Sequence, residues 1–296
     1  MRRTTLAVMS MTVFWGAPAP QSHGAASAAQ AFTSSLQTGR VRIMGARDNV
    51  NQADYTLQWD GTRYQCQDKS GRRGFNTIRR VTQIHISKNG ECAKLQSANL
   101  TYGSFEKANF RGAIISWGSM RESKLKEADF TAAELRNADF SGADLRYAKF
   151  SMASMREGDF SRANFKGAVL KGADMREAKV FGSLFQGADL TGVNLEATNL
   201  RDAQMFSANL QDANLREADM KGAHLGFANL AGADLQDTDL SQAELRGATL
   251  EGARFKRTNL KGAVYNRKTV LPRDWGFHGA DDRGMIFTPD PQPDRD

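Results

Sequence analysis

Residues 136–175 read RNADF SGADL RYAKF SMASM REGDF SRANF KGAVL KGADM, eight blocks of five, each closed by a large apolar residue. The same phase runs unbroken from Glu91 to Tyr265, 35 blocks in all. The fifth position is Leu in 18 blocks, Phe in 9 and Met in 5, with Ile115, Val180 and Tyr265 filling the rest. The third position is Ala in 26 blocks and Gly, Ser, Thr or Val in the other 9. Between them stands most often Asp or Asn, and the first two positions are mainly charged, polar or Gly. A repeat of this fidelity has to be read before any local propensity.

Five residues fit neither regular element over any length. An α-helix would carry successive fifth positions round by about 140°, spreading the large side chains over every face. It would also have to absorb many Gly, Asn, Asp and Thr residues. A continuous strand would send alternate fifth positions to opposite sides. A short strand followed by a turn, repeated, satisfies the pattern: each block forms one side of a coil, with one large and one small side chain pointing in.

The blocks SGADL, QGADL, KGADM and AGADL resemble the pentapeptide-repeat family, whose consensus is a small residue, Asp/Asn, Leu/Phe, a polar residue and often Gly. The resemblance covers 175 of the 296 residues. It implies an all-β fold, a right-handed quadrilateral parallel β-helix with four blocks to a 20-residue coil. The 35 blocks then make about 9 coils, and at ~4.8 Å between paired strands the rod is about 42 Å long. Residues 20 apart should stack. One column then runs Leu95, Ile115, Leu135, Met155, Met175, Leu195, Leu215, Leu235 and Phe255; the next runs Leu100, Met120, Phe140, Phe160, Val180, Leu200, Met220, Leu240 and Leu260. Each buried large side chain contributes roughly 1.5–3 kcal/mol, while ordering backbone costs about 1–2 kcal/mol per residue. Stability must therefore come from cooperative stacking rather than from any one coil.

The flanks differ from the repeat. Residues 1–31 have the three parts of a signal peptide: Arg2-Arg3, the apolar run Leu6–Trp15, and a small-residue tail in which Ala26-Ser27-Ala28 and Ala29-Gln30-Ala31 offer cleavage sites. The chain is accordingly expected in the bacterial periplasm or secreted, where Cys66 and Cys92, its only cysteines, can form a disulfide. Such a bridge stabilises by roughly 3–4 kcal/mol in the chain-entropy account. Residues 32–90 read as a small N-terminal β unit. Tyr55–Trp59 and Thr62–Cys66 flank Asp60-Gly61 as a hairpin with a two-residue turn, followed by a polar loop over Lys69–Asn76 and a strand-like Gln83–Ser87. The unit is expected to cap the open edge of the first coil, with a separate binding domain as the alternative. Residues 266–296 read as a C-terminal cap, carrying Thr269–Pro272 and Gly284-Met285, and a loose Pro-rich tail.

Chemistry is sparse. His23, His85, His224 and His278 have no partner at a recognised spacing, so no catalytic, metal or cofactor site is expected and the chain is not read as an enzyme. No apolar run approaches the about 20 residues of a membrane helix, so no span is expected. Some relatives resemble B-form DNA in size and negative charge and inhibit DNA gyrase. That alternative function, and nucleic acid as a partner, are disfavoured because residues 91–265 hold 23 Lys+Arg against 23 Asp+Glu and because of the leader. Arg136, Arg156, Arg176 and Arg216 share one side, with Glu157, Glu177 and Glu217 beside three of them.

Two surface features remain. Residues 1–90 hold 12 Lys+Arg against 4 Asp+Glu, and Arg72, Arg73, Arg79 and Arg80 cluster there as a candidate basic patch for an anionic envelope component. Leu184, Phe206 and Phe227 replace polar residues on the same side of three successive coils, with Phe181 and Tyr147 not far away. They form a candidate patch for a partner protein or a second copy, a possible homodimer. The reading is an exported scaffold that mediates protein or envelope interactions.

Overall fold

The computed structural model describes residues 56–59, 64–67, 70, 72–74, 76–77, 90–275 and 279–289. The leader, the Asp60-Gly61 turn, Arg79, Arg80, His85 and His278 lie outside the described residues.

Each block is a turn over its first two positions and a bridge at its fourth. The block Arg136–Phe140 shows how the backbone is satisfied. Asn137 N–H donates to the Arg156 carbonyl (3.0 Å) and Phe140 N–H to the Asp159 carbonyl (2.7 Å), both in the following coil. Asp139 N–H donates to the Gly118 carbonyl of the preceding coil (2.9 Å), and Ala138 N–H to the Leu135 carbonyl (3.0 Å), closing a four-residue turn. One donor in five is left over, at the first position of the next block. Ser141 N–H finds the Asp139 Oδ1 at 2.9 Å, and the same Asx turn recurs at Asn109–Arg111, Asp159–Ser161, Asn199–Arg201 and Asn259–Lys261. The preference for Asp and Asn at the fourth position thus supplies the acceptor that completes the backbone accounting.

The second position turns the corner. From Cys92 to Gly262 it has positive φ in every block, between +53° and +74°, the conformation required at the third residue of a type II turn. Where that residue is not Gly, the left-handed backbone costs on the order of 1 kcal/mol, which the regular rungs must offset.

Parallel bridges link residues 20 apart from Lys94↔Ile114 through to Glu244↔Val264. Four blocks therefore complete one turn, and the fifth positions fall into four internal columns. Asn194↔Asn214 and Asn214↔Asp234 set Leu195, Leu215 and Leu235 in register, all fully buried. Phenylalanines stack within columns: Phe110 on Phe130 and Phe130 on Phe150 at 4.9 Å, and Phe165 on Phe185 at 4.8 Å. Third positions fill the space beside them. A Cβ on Gly158 would lie 2.7 Å from Phe160 Cε2, so there the smallest residue is required. The hydroxyls at buried third positions reach carbonyls 23 residues back: Ser123 to Leu100, Ser183 to Phe160, Thr198 to Met175 and Thr238 to Leu215, at 2.7–3.0 Å. A buried hydroxyl is tolerated because it is bonded.

Both ends gain a rung from outside the repeat. At the start, β1 (Thr56–Trp59) and β2 (Tyr64–Gln67) form an antiparallel hairpin, and β3 (Asn76–Thr77) pairs in parallel with β4 (Ala93–Lys94) of the first coil. β3 covers the edge that a cap must cover. The hairpin register is Thr56↔Gln67 and Leu57↔Cys66, leaving four residues between the strands rather than the two expected from Asp60-Gly61. Packing decides this register. Leu57 and Cys66 lie side by side over the rod's flank at Gly112, where a Cβ would stand 2.6 Å from Leu57 Cδ1 and 2.8 Å from Cys66 Sγ. The hairpin therefore packs on a corner of the rod rather than over its end. Cys66 and Cys92 are joined by a disulfide, Cα to Cα 5.8 Å, and Leu57 N–H donates to Glu91 Oε1 at 3.1 Å.

At the other end the winding continues past Tyr265. Thr249 pairs with Val270, 21 residues on, and Thr269 Oγ1 donates to the Leu245 carbonyl at 2.9 Å. Thr269-Val270-Leu271 thus acts as a further strand, shifted by one inserted residue. After two 3-10 turns, Arg273–Trp275 and Asp281–Arg283, β6 (Ile286–Phe287) pairs in parallel with β5 (Val264–Tyr265). Trp275 packs edge-to-face on Phe255 at 4.7 Å and Arg283 lies 4.2 Å from the Trp275 ring centroid. Among the described residues no helix is long and apolar enough to cross a membrane.

Candidate interaction surface

With the interior filled, ligands can meet only the outward positions: the strand's fourth residue and the two corner residues. Many of the charged side chains there are paired. Arg146 grips Asp144 in a bidentate pair (2.7 and 2.6 Å), and Arg176 does the same to Asp174 (2.8 and 2.6 Å). Hydrogen bonds from Arg146 hold the Asp144 carboxyl below its ordinary pKa against the opposing effect of burial. Burial pushes the Asp174 carboxyl up, but the bonds from Arg176 outweigh it and the net shift is downward. Arg136 pairs with Glu157 across one coil. Arg176 and Arg216 instead turn to strand carboxylates, Asp174 and Asp234, not to Glu177 and Glu217. Both aspartates, Asp174 two residues before its arginine and Asp234 one coil on, have the shorter side chain and are already held by their own Asx turns, so each presents a fixed acceptor.

The apolar candidates share a face with an internal order the sequence did not reveal. Leu184 occupies a strand position, bridged to Asn164 and Gln204 in the coils before and after, and is half-buried. Phe206 and Phe227 stand at the corner beside it, 51% and 50% exposed, packed edge-to-face with centroids 5.4 Å apart. Each leans on a glycine of the following coil: Phe206 on Gly226, and Phe227 on Gly247, where a Cβ would come within 2.7 Å of the ring. Phe181, 42% exposed, stands at the opposite corner of the same face. Rungs at that corner are the longer ones, with Gly182 N–H to the Arg201 carbonyl at 3.4 Å and Val180 N–H to the Asn199 carbonyl at 3.2 Å. Tyr147 is separate, four coils before Phe227 on its corner, lying against Gly167.

The basic candidates divide. Arg72 is exposed and its Nε donates to Ser70 Oγ at 3.2 Å. Arg73 pairs across to Gln67 in a β-bridge and lines a cavity of about 340 Å³ between hairpin and rod, together with Leu57, Tyr64, Ala132 and Glu134. Composition alone does not reveal this cavity, because it depends on the hairpin lying along the flank. His224 lies on the same face as Phe206, one coil on, with Nδ1 3.4 Å from Glu244 Oε2. Among the described residues no group of three or more His, Cys, Asp or Glu could hold a metal ion.

Comparison with known families gives this architecture its class. The model for pentapeptide repeats matches in eight copies, over residues 91–126, 123–162, 153–180, 183–222 and 223–262. The chain belongs to the pentapeptide-repeat family, whose fold is the right-handed quadrilateral β-helix. Among solved structures it is similar to HetL, a pentapeptide repeat protein involved in heterocyst differentiation regulation in the cyanobacterium Nostoc sp. PCC 7120. The identity is 30% over 60% of this chain and 78% of that one, with a TM-score of 0.32. It is also similar to alr5209, a pentapeptide repeat protein of the same organism, at 34% identity over 36% of this chain and 84% of that one (TM-score 0.34). A third similar structure is QnrB1, a plasmid-mediated fluoroquinolone resistance protein, at 17% identity over 66% and 85% (TM-score 0.40). No curated protein sequence matches the chain.

Proposed function

We propose that this chain is an exported, non-catalytic scaffold that binds a protein or envelope partner through the outer surface of its rod. One observation carries the reading: Phe206 and Phe227 are half exposed and packed on one another in the last third of the rod, whereas Tyr102, Trp117 and Met152, also exposed, stand apart on other corners and Tyr147 stands four coils before Phe227. Aromatic side chains held on rigid backbone make good anchors at interfaces because little rotamer freedom is lost on binding. Export is supported by the charge and hydropathy order of residues 1–31 and by a disulfide that suits an oxidising compartment. The balanced charge of the repeat, 23 against 23, opposes the DNA-mimic alternative.

Two measurements test it. N-terminal sequencing of the protein recovered from a fractionated bacterial host should begin at Ala29 or Phe32; recovery of an unprocessed chain from the cytoplasm would refute export. A photo-crosslinking residue placed at position 227 in the native cell should yield a discrete adduct that the same residue at position 259 does not. Identical adducts from both positions would refute the scaffold surface.

A further inference from the structure

Resting on that scaffold reading, the charge around the apolar face narrows its partner. On the face that carries Phe181, Leu184, Phe206 and Phe227, cations stand on the adjoining coils at both corners. Arg162 precedes Phe181, its Cγ 4.0 Å from where a Cβ on Gly182 would stand. Arg201 follows Phe181 in the same column, and Gly182 and Asp202 N–H bond the carbonyls of Arg201 and Lys221. Lys166 occupies the other corner, two coils before Phe206 in its column. Arg162, Lys166 and Lys221 form no ion pair among the described residues, whereas Arg201 meets Asp219 at 3.2 Å. Of the carboxylates near this face, Glu244 is held by His224 and Arg246, while Asp202 stands at the corner with its Oδ1 over Gly222, 2.6 Å from where a Cβ there would stand.

We infer that this face receives an anionic amphipathic segment of a partner protein, its apolar side chains over Leu184 between the two aromatic corners and its carboxylates on the flanking cations. The argument is charge complementarity. Three cations without an ion pair among the described residues, Arg162, Lys166 and Lys221, flank an apolar centre, while Asp219 and Glu244 are already taken by Arg201 and Arg246, in a repeat that is neutral as a whole. A second copy meeting this face two-fold would set like charge against like, which costs affinity. An acidic segment gains both the apolar contact and the unpaired cations. A row of corner aromatics spaced over three coils, at ~4.8 Å per coil, matches the apolar stripe of a short peptide rather than an extended surface.

The test uses the mature full chain as bait for a display library of random 16-residue peptides. Enriched sequences should combine Leu, Phe or Trp with Asp or Glu. A synthetic consensus peptide, followed by fluorescence anisotropy, should bind at least tenfold more weakly to Phe206→Asp. Binding to the double variant Arg162→Glu/Lys166→Glu should fall similarly, and a charge-reversed peptide should recover it. All these substitutions are on exposed side chains, and an unchanged thermal transition confirms the fold in each variant. Basic or absent consensus sequences, or indifference to the charge reversal, would overturn the inference. So would co-sedimentation with vesicles containing 30% phosphatidylglycerol, or retention on single-stranded DNA, abolished by the same charge reversal. If the crosslinker at position 227 captures a partner while the acidic consensus fails, the scaffold reading stands and only the assignment of partner chemistry falls.

Discussion

Gly247 N–H donates to the side chain of Asn266, Oδ1 at 2.9 Å, where equivalent corners donate to a backbone carbonyl nineteen residues on, as Gly187 does to Phe206 and Phe227 to Arg246. The amide carbonyl of Asn266 stands in for the main chain, and this lets one extra residue enter before Thr269 resumes the strand. Lys268 N–H also bonds Oδ1, at 3.1 Å, so one buried side chain closes the bulge. Asn266→Ala should destabilise the final coil by about 1 kcal/mol, because Lys268 N–H loses its acceptor and Gly247 N–H is left with Thr269 Oγ1 alone. Hydrogen exchange should show the loss at Gly247, Lys268 and Val270 and spare Phe140. Uniform loss across the rod would contradict a local role.

The Asx turn predicts a sharp contrast between isosteres. Asp139→Asn keeps the oxygen that accepts from Ser141 N–H and should change stability by less than about 0.5 kcal/mol. Asp139→Ala removes it and should cost about 1 kcal/mol. Urea denaturation of the two variants decides. Equal effects would mean that the carboxylate acts through charge.

Interior columns predict overpacking. Ala178 is 1% exposed, between columns of large side chains, and Ala178→Phe should lower the thermal transition by an amount corresponding to about 1–3 kcal/mol or more. Gly158→Ala should also destabilise, because its methyl would lie 2.7 Å from Phe160. Unchanged unfolding of both variants would mean the coils have room that the structure denies them.

Two pKa shifts give opposite pH dependences. The Asp144 carboxyl lies below its ordinary 3.8, held there by Arg146. Its contribution is therefore present above the unfolded pKa and is lost as pH falls through the lower folded value, below about pH 4. Asp144→Asn should flatten that part of the acid profile, by a small amount because exposed pairs contribute ~0–1 kcal/mol. Tyr265 is shifted the other way, upward from 10.0, by burial and by its hydrogen bond to Asp281 Oδ1 at 3.0 Å. Its contribution is full below the unfolded pKa and is lost as pH rises through the higher folded value. Tyr265→Phe should remove that alkaline loss; a profile still falling above pH 10 in this variant would assign it elsewhere.

The disulfide ties the hairpin to the first coil, so its loss should be felt there first. Cys66→Ala/Cys92→Ala should expose the amides of Leu57 and position 66 to exchange while Phe150 and Leu195 stay protected. The expected cost at the hairpin is about 2–4 kcal/mol. Simultaneous loss at Leu195 would show the rod to depend on its N-terminal unit.

Much of this molecule can be read from one line of sequence because a period of five allows a single geometry. The alternation of Ala138 and Phe140, Ala178 and Val180, fixes which positions face in, and the bridges place them accordingly. Asp139 and its equivalents were visible as a preference but gained a reason only when the N–H of Ser141 was found facing them. The insertion at Asn266 broke the phase and hid Thr269–Leu271 as a further strand. The hairpin register was set by what Leu57 and Cys66 cover on a distant part of the chain, which no local turn signal encodes. The partners chosen by Arg176 and Arg216 depended on which carboxylate the backbone already held still. On the apolar face, Leu184, Phe206 and Phe227 were legible as exceptions to the pattern, while the cations beside them became a rim only once residues 20 apart were stacked.

The central claim is that residues 20 apart stack at one rung spacing, and a spin–spin distance tests it most directly. Nitroxide labels at Asn99→Cys and Asn199→Cys, both exposed and joined by successive bridges through Ser119, Asp139, Asp159 and Lys179, lie five coils apart. At ~4.8 Å per coil the labels should give a narrow distribution near 24 Å. A mean beyond about 35 Å, or a broad distribution without a peak in that region, would contradict the four-sided coil and everything argued from its faces.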